Sequence, residues 1–266
     1  MSASHIALLG AIAGFTIFIG LPVGRLRAPA PRLRALLNAG AIGVLVFLLW
    51  DILAHAWEPI DGALADHHAG PALGNGLVLA AGLAVGLMGL VYFDRWIAAR
   101  RTRGTDSARG TDSAPGGAAG QLALLIAVGI GLHNFAEGLA IGNSAAQGQL
   151  NLAVLLVIGF GLHNATEGFG IVAPLAGARP SWGYLGVLGL IGGGPTFVGT
   201  LVGQRFTNPT MSVAFLALAA GSILYVVIEL LAVGRKLGVK EITTWGIMAG
   251  LVAGFATDAL LTAGGA

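Results

Sequence analysis

Two stretches of the chain repeat one arrangement of side chains that can bind a metal ion. Residues 131–138 read Gly-Leu-His-Asn-Phe-Ala-Glu-Gly, and residues 161–168, 30 positions later, read Gly-Leu-His-Asn-Ala-Thr-Glu-Gly. Within each copy the His and the Glu are four residues apart, so on a helix they lie one turn apart on the same face, with the Asn beside the His. Imidazole nitrogens and carboxylate oxygens suit Zn²⁺ and other first-row divalent ions, and an Asn oxygen adds a hard, exchangeable ligand. The candidate metal ligands are His133, Asn134, Glu137, His163, Asn164 and Glu167.

Both copies of the motif lie inside strongly apolar runs. The chain has 266 residues, of which 56% are hydrophobic and only 10% charged, and this composition is typical of a polytopic membrane protein. A polar side chain facing lipid costs several kcal/mol, so the motif residues must face the interior of a helical bundle. The 44 glycines favour closely packed helices. The absence of cysteine excludes disulfides, thiolate metal sites and thiol redox chemistry.

The apolar segments that must position the motifs are long enough to cross a membrane. About 20 helical residues span a hydrocarbon core of about 30 Å. We therefore predict an all-α polytopic membrane protein that forms a single transmembrane domain over residues 1–266. Its eight helices are predicted at about residues 5–23, 34–57, 73–97, 119–142, 150–174, 183–203, 210–232 and 241–262.

The basic residues predict how this bundle is oriented. If the N-terminus lies outside, then of the fourteen Lys and Arg residues only Arg205 falls on the outer side. This asymmetry predicts that both termini lie on the outer, periplasmic side of the inner membrane, and it accounts for the basic pI better than nucleic-acid binding does. The first segment is followed by Arg25 and Arg27, so we predict a retained helix rather than a cleaved signal peptide.

Two connections between the predicted helices are unusual in composition. The inner connection at about residues 100–118 contains a duplicated six-residue sequence, 103–108 and 109–114, and is predicted to be disordered. The outer connection between the second and third segments is acidic and rich in histidine. It either attracts divalent cations or is an ordinary polar loop, and the two interpretations carry equal weight. Its polar residues are Glu58, Asp61, Asp66, His67 and His68.

The depth of the intramembrane polar residues can be predicted from the segments. The turn between the fourth and fifth segments is centred near residues 147–149, so these helices are antiparallel and both motifs lie about 20 Å from the turn. Asp51 and His55 share one face near the outer end of the second segment, and Asp258 comes late in the eighth. We predict that these three line an outer entrance and that Glu229, near the inner end of the seventh segment, lines an exit. Taken singly, each is explained equally well as a polar group that reaches the interface.

The doubled motif resembles that of the ZIP divalent-metal transporters. Members of that family have eight helices with both termini outside, and carry His-Asn-x-Pro-Glu-Gly in helix 4 and a similar motif in helix 5. The resemblance covers the topology of nearly the whole chain, and its specific signal lies in residues 131–138 and 161–168. It implies that Zn²⁺, or alternatively Fe²⁺, Mn²⁺ or Cd²⁺, is imported into the cytoplasm as substrate rather than held as a prosthetic group. It also implies metal ligation by the six motif residues, alternating access by movement of one helical group against another, and a homodimer.

Three features of the chain depart from the family pattern. The motif proline is replaced by Ala136 and by Thr166, and residues 192–195 of the sixth segment contain no acid where many members contribute a carboxylate to a second metal. The inner connection also lacks the histidines often found there. Two Glu carboxylates balance one divalent ion, so our hypothesis is one well-held metal with a second site weak or absent.

Two other functions remain alternatives at this point. A metal bound by His and Glu can activate water, so an intramembrane metal-dependent hydrolase is possible in principle, although the sequence contains no His-Glu-x-x-His motif. A purely structural polar core would make the motif residues matter for stability and not for metal uptake.

Overall fold

The computed structural model describes residues 1–25, 31–104, 118–175 and 179–263. These residues form helices and turns, with no β-strand among them. Eight helices in these ranges are long and apolar enough to cross a membrane, which confirms the predicted all-α class. Their bounds are α1 Ala3–Arg25, α2 Pro31–Ala65, α3 Ala69–Gly104, α4 Ala118–Ala146, α5 Leu150–Val172, α6 Trp182–Gly203, α7 Pro209–Leu237 and α8 Lys240–Ala263.

Helix α1 is the irregular member of this set. Its α-helical part runs from Ala3 to Phe15, is interrupted at Thr16, resumes over Ile17–Gly20 and ends in a 3₁₀ turn over Leu21–Arg25. Every other spanning helix is assigned as one unbroken α-helix between its bounds, including α6, which contains Pro195.

Helices α2 and α3 are longer than predicted, which corrects the expectation of an outer loop there. Glu58 and Asp61 belong to the last turns of α2, and the turn itself is confined to the residues around His67, whose φ is 58°. The apolar sequence indicates only the part of a helix that lies in the hydrocarbon core. Backbone hydrogen bonds can continue the helix outside that core. For the same reason α3 continues to Gly104, so the first residues of the predicted disordered connection are helical. The rest of that prediction, residues 105–117, lies outside the described residues.

The helices pack as two groups. Helices α1, α4, α5 and α6 contact one another, and the most extensive contact in the molecule joins α4 to α6. Helices α2, α3, α7 and α8 form the second group, through the pairs α2–α8, α3–α7 and α2–α7. The groups meet mainly where α4 contacts α7 and where α5 contacts α2. The two motif helices therefore lie at the boundary between the groups.

Glycines bring the helices of the first group into backbone contact. A Cβ on Gly138 of α4 would lie 2.1 Å from the Thr196 carbonyl oxygen of α6, and one on Gly199 of α6 would lie 2.3 Å from the Phe135 oxygen of α4. On the other side, a Cβ on Gly168 of α5 would lie 2.5 Å from the Ile17 oxygen of α1. Side chains would not fit at these positions without movement of backbone, so the glycines fix α4 against α6 and α5 against α1.

The largest apolar core lies between the two groups. It includes Leu45 and Leu48 of α2, Phe160 of α5 and Ile223 of α7, all buried. This core joins α5 to helices of the second group.

Candidate metal centre

The two His and two Glu residues of the motifs converge between α4 and α5. The turn that joins these helices has Gly148 at φ 82°, and it makes them antiparallel neighbours as predicted. The imidazole rings of His133 and His163 are stacked with their centroids 5.9 Å apart. All four side chains are buried, the most exposed being Glu167 at 6%. The structure thus places the His and Glu side chains of both motifs side by side in the protein interior.

Ligand atoms of three of these side chains are close enough to share one ion, and the fourth, Glu167, contacts both imidazoles. His133 Nε2 lies 2.8 Å from Glu167 Oε1, and His163 Nε2 lies 3.2 Å from the same oxygen. His163 Nε2 is also 3.6 Å from Glu137 Oε1. One ligand atom from each of His133, Glu137 and His163 lies within 4.8 Å of the others. This is the order of spacing that a shared metal ion requires of nitrogen and oxygen ligands.

Several buried polar atoms of this cluster have no well-formed hydrogen bond. His133 Nε2 lies 2.8 Å from Glu167 Oε1 but, among the described residues, makes no hydrogen bond of good geometry. The same is true of both carboxylate oxygens of Glu137 and both ring nitrogens of His163. A buried polar group without a partner costs about 1–3 kcal/mol, and more when it is charged. A buried cluster of carboxylates and imidazoles with so few hydrogen-bond partners has the chemistry of a cation site.

The two motif Asn residues are buried beside this cluster and are anchored to other helices. Asn134 Nδ2 donates to the Gly192 carbonyl oxygen of α6 at 2.9 Å, and Asn164 Nδ2 donates to the Ala13 oxygen of α1 at 3.0 Å. Both side chains are fully buried. Each Oδ1 lacks a hydrogen-bond partner within the described chain, so each oxygen retains its lone pairs.

A cavity of about 470 Å³ leads away from the cluster. It begins at His133 and Glu167 and reaches Asp94 of α3 and Glu229 of α7, each in the last third of its helix. Glu229, which was predicted to line an exit, is one of the residues that line this cavity. Asp94 was not predicted, because its neighbour Arg95 made it resemble an ordinary charge at the end of a segment.

The residues predicted for an outer entrance lie elsewhere. Asp51 is buried, and His55 Nδ1 donates to its main-chain oxygen at 2.9 Å and lies 3.7 Å from its carboxylate. Asp258 of α8 is partly exposed and interacts electrostatically with Asp51. None of these three belongs to the described lining of the cavity. The structure therefore groups them with one another and not with the cavity.

The departures from the motif have a local explanation. Helix α5 passes through Thr166 unbroken, with the Thr166 hydroxyl donating to the His163 carbonyl at 2.7 Å, and α4 passes through the buried Ala136. In α6, a Cβ on Gly193 would lie 2.2 Å from the Gly14 oxygen of α1. An acidic side chain at Gly193 would therefore require α1 to move.

Membrane-spanning helices that enclose a cluster of His and Glu place this chain in the class of multi-pass membrane proteins with a buried cation-type site. Comparison with known proteins narrows the class. The profile of the family described as ZIP Zinc transporter matches residues 101–261. The chain is also 30% identical to the zinc transporter ZupT of Escherichia coli O7:K1 (strain IAI39 / ExPEC), over 97% of each chain. The zinc transporter ZupT of Escherichia coli (strain K12 / DH10B) gives the same identity and coverage.

The chain belongs to the ZIP zinc transporter family. It is a transporter and not an enzyme, so family membership removes the hydrolase alternative.

Proposed function

We propose that this protein imports divalent metal ions, Zn²⁺ foremost, across the inner membrane into the cytoplasm through the buried cluster of α4 and α5. The observation that carries the proposal is the convergence of two imidazoles and two carboxylates, most of whose buried polar atoms lack hydrogen-bond partners within the described chain. The name zinc transporter, which the relatives carry, supports Zn²⁺ as substrate. Fe²⁺, Mn²⁺ and Cd²⁺ are alternative substrates, because imidazole and carboxylate ligands do not exclude them.

The proposed ligands are the six motif residues. Two carboxylates neutralise the charge of one divalent ion, and neutral imidazole and amide groups complete its coordination. The absence of thiolate ligands suits an ion that must leave again. The set comprises His133, Asn134, Glu137, His163, Asn164 and Glu167.

The proposed direction of release follows the cavity. With both termini outside, as the distribution of basic residues predicts, the cavity that reaches Asp94 and Glu229 leads to the cytoplasm. The outer route then begins near Asp51, His55 and Asp258. Alternating access would arise from movement of the first helical group against the second, because the cluster lies at their boundary.

We also propose a homodimer, since the resemblance to the family implies one. Light scattering of the purified protein in detergent tests it, and a monomeric mass would contradict it.

Uptake of zinc into proteoliposomes tests the transport proposal. Glu137→Ala and Glu167→Ala are expected to abolish uptake, since each removes a carboxylate from the cluster. Glu241→Ala is the matched control, because Glu241 lies exposed in the first turn of α8. Retained uptake in both cluster variants would overturn the proposal. Lower thermal stability with unchanged uptake would instead indicate a structural polar core.

A further inference from the structure

Hydrogen-bonding partners determine which way the side-chain amides of Asn134 and Asn164 are oriented. Asn134 and Asn164 each face a backbone carbonyl oxygen, of Gly192 and of Ala13, at 2.9 and 3.0 Å. A carbonyl oxygen only accepts hydrogen bonds, so the amide atom that faces it must be the NH₂ nitrogen. The amide oxygen then lies on the opposite side of the group. In both residues this oxygen is buried and, within the described chain, without a hydrogen-bond partner.

An amide held in this way offers a metal ion a neutral, hard oxygen ligand that does not have to be ordered on binding. Partners that orient a ligand in this manner influence metal affinity by about 10- to 100-fold when they are lost. A hard oxygen also favours Zn²⁺ over the softer Cd²⁺. The carbonyls that hold the two amides are therefore expected to matter for metal preference as well as for affinity.

The carbonyl that holds Asn164 depends on the interruption of α1. The Ala13 oxygen accepts the Thr16 hydroxyl at 2.7 Å in addition to the Asn164 amide. A carbonyl oxygen has two lone pairs, so these two donors occupy both of them. In a regular helix the same oxygen would accept the backbone N–H of Ile17. The helix is interrupted at Thr16, between these two residues.

We propose that Thr16 is a positioning residue for metal selectivity. Its hydroxyl holds the Ala13 carbonyl at the interruption of α1, where the same oxygen accepts the Asn164 amide, and that bond directs the Asn164 oxygen to the metal. The inference rests on the proposed function of the cluster as a metal site. It adds a residue on α1, outside both motifs, to the groups that determine which ion is bound.

Two substitutions remove the hydroxyl in different ways. Thr16→Val removes the hydroxyl but keeps the methyl group, which lies 3.5 Å from the position that a Cβ on Gly161 would take. Thr16→Ala removes both the hydroxyl and the methyl group. Thr16→Ser keeps the hydroxyl and is the rescue variant. Thr244→Val is the matched control, because the exposed Thr244 hydroxyl likewise donates to a backbone carbonyl within its own helix, at 2.9 Å.

Equilibrium competition against a chromophoric chelator measures Zn²⁺ and Cd²⁺ affinity of the purified full chain. In Thr16→Val and Thr16→Ala we expect Zn²⁺ affinity to fall about tenfold or more and Cd²⁺ affinity to fall less, so that the preference for Zn²⁺ decreases. Thr16→Ser and Thr244→Val should keep the wild-type values. The KM for zinc uptake into proteoliposomes should follow the binding data.

Several outcomes would overturn the inference. Unchanged Zn²⁺ affinity and preference in Thr16→Val or Thr16→Ala would do so. Loss in Thr16→Ser would show that the methyl contact with Gly161 matters and not the hydroxyl, and a fall in maximal uptake rate alone would show a role in movement. A wild-type protein that binds zinc without transporting it would contradict the proposed function, while the binding comparison would still decide the role of Thr16.

Discussion

Replacing Gly138 with Ala should separate α4 from α6 and weaken zinc binding. The added Cβ would lie 2.1 Å from the Thr196 carbonyl oxygen, whereas a carbon and an oxygen in contact need about 3.3 Å. The helices must therefore part by about 1 Å, because a backbone carbonyl cannot rotate away as a flexible side chain can. Overpacking of this kind destabilises a protein by about 1–3 kcal/mol.

The same displacement reaches the metal centre through Asn134. Its amide nitrogen is 2.9 Å from the Gly192 oxygen of α6, and an added 1 Å takes that distance to about 3.9 Å, beyond a hydrogen bond. The amide would then be free to rotate. Loss of such an orienting partner lowers metal affinity by about 10- to 100-fold. Gly138→Ala should thus raise the KM for zinc uptake by a similar factor.

The assay is zinc uptake into proteoliposomes, combined with the thermal stability of the protein in detergent. Gly194→Ala is the matched control, since a Cβ on this α6 residue would meet no described atom within 4 Å. Both substitutions add one methyl group to a membrane helix, so a difference between them reports the contact of α4 with α6. If Gly138→Ala behaved like Gly194→Ala in stability and in KM, the reasoning from helix contact to amide orientation would be refuted.

The stoichiometry of metal and the orientation of the chain give two further predictions. Titration of the purified protein with Zn²⁺ should saturate near one tightly bound ion per chain. The cluster has two carboxylates, and an acidic side chain at Gly193 of α6 would not fit beside α1. Two tight sites would contradict this prediction. The chain has no cysteine, so single cysteines can be labelled selectively. A membrane-impermeant maleimide should label Ser2→Cys in intact cells and should not label Lys240→Cys, and the reverse pattern would show an inverted topology.

The core of the candidate site was predictable because helical geometry converts spacing into position. A four-residue interval places His133 and Glu137 on one face of α4, and the second copy places His163 and Glu167 likewise on α5. A short turn then makes the helices antiparallel neighbours. These three local facts suffice to bring four side chains together, which the distances between them bear out.

The partners that orient the amides could not be predicted in the same way. Ala13 and Asn164 are 151 residues apart in sequence, and no local spacing relates them. Their hydrogen bond depends on how α1 packs on α5 and on where α1 is interrupted. The predicted segments for α2 and α3 were also shorter than the helices, because hydropathy indicates where a helix lies in the hydrocarbon core and not where the helix ends. A signal was nevertheless present in the motif glycines, which indicated close helix contacts without naming the partner helix.

Each residue type of the motif has a distinct task, and together these tasks determine what can move. The His and Glu residues form the cluster, the glycines hold α4 against α6 and α5 against α1, and the Asn residues join the cluster to both of those outer helices. Sliding α4 past α6, or α5 past α1, would break backbone contacts and also release an amide from its carbonyl. A change of access that preserves the site must therefore carry α1, α4, α5 and α6 together. The contacts that such a change would rearrange are those with the second group, where α4 meets α7 and α5 meets α2.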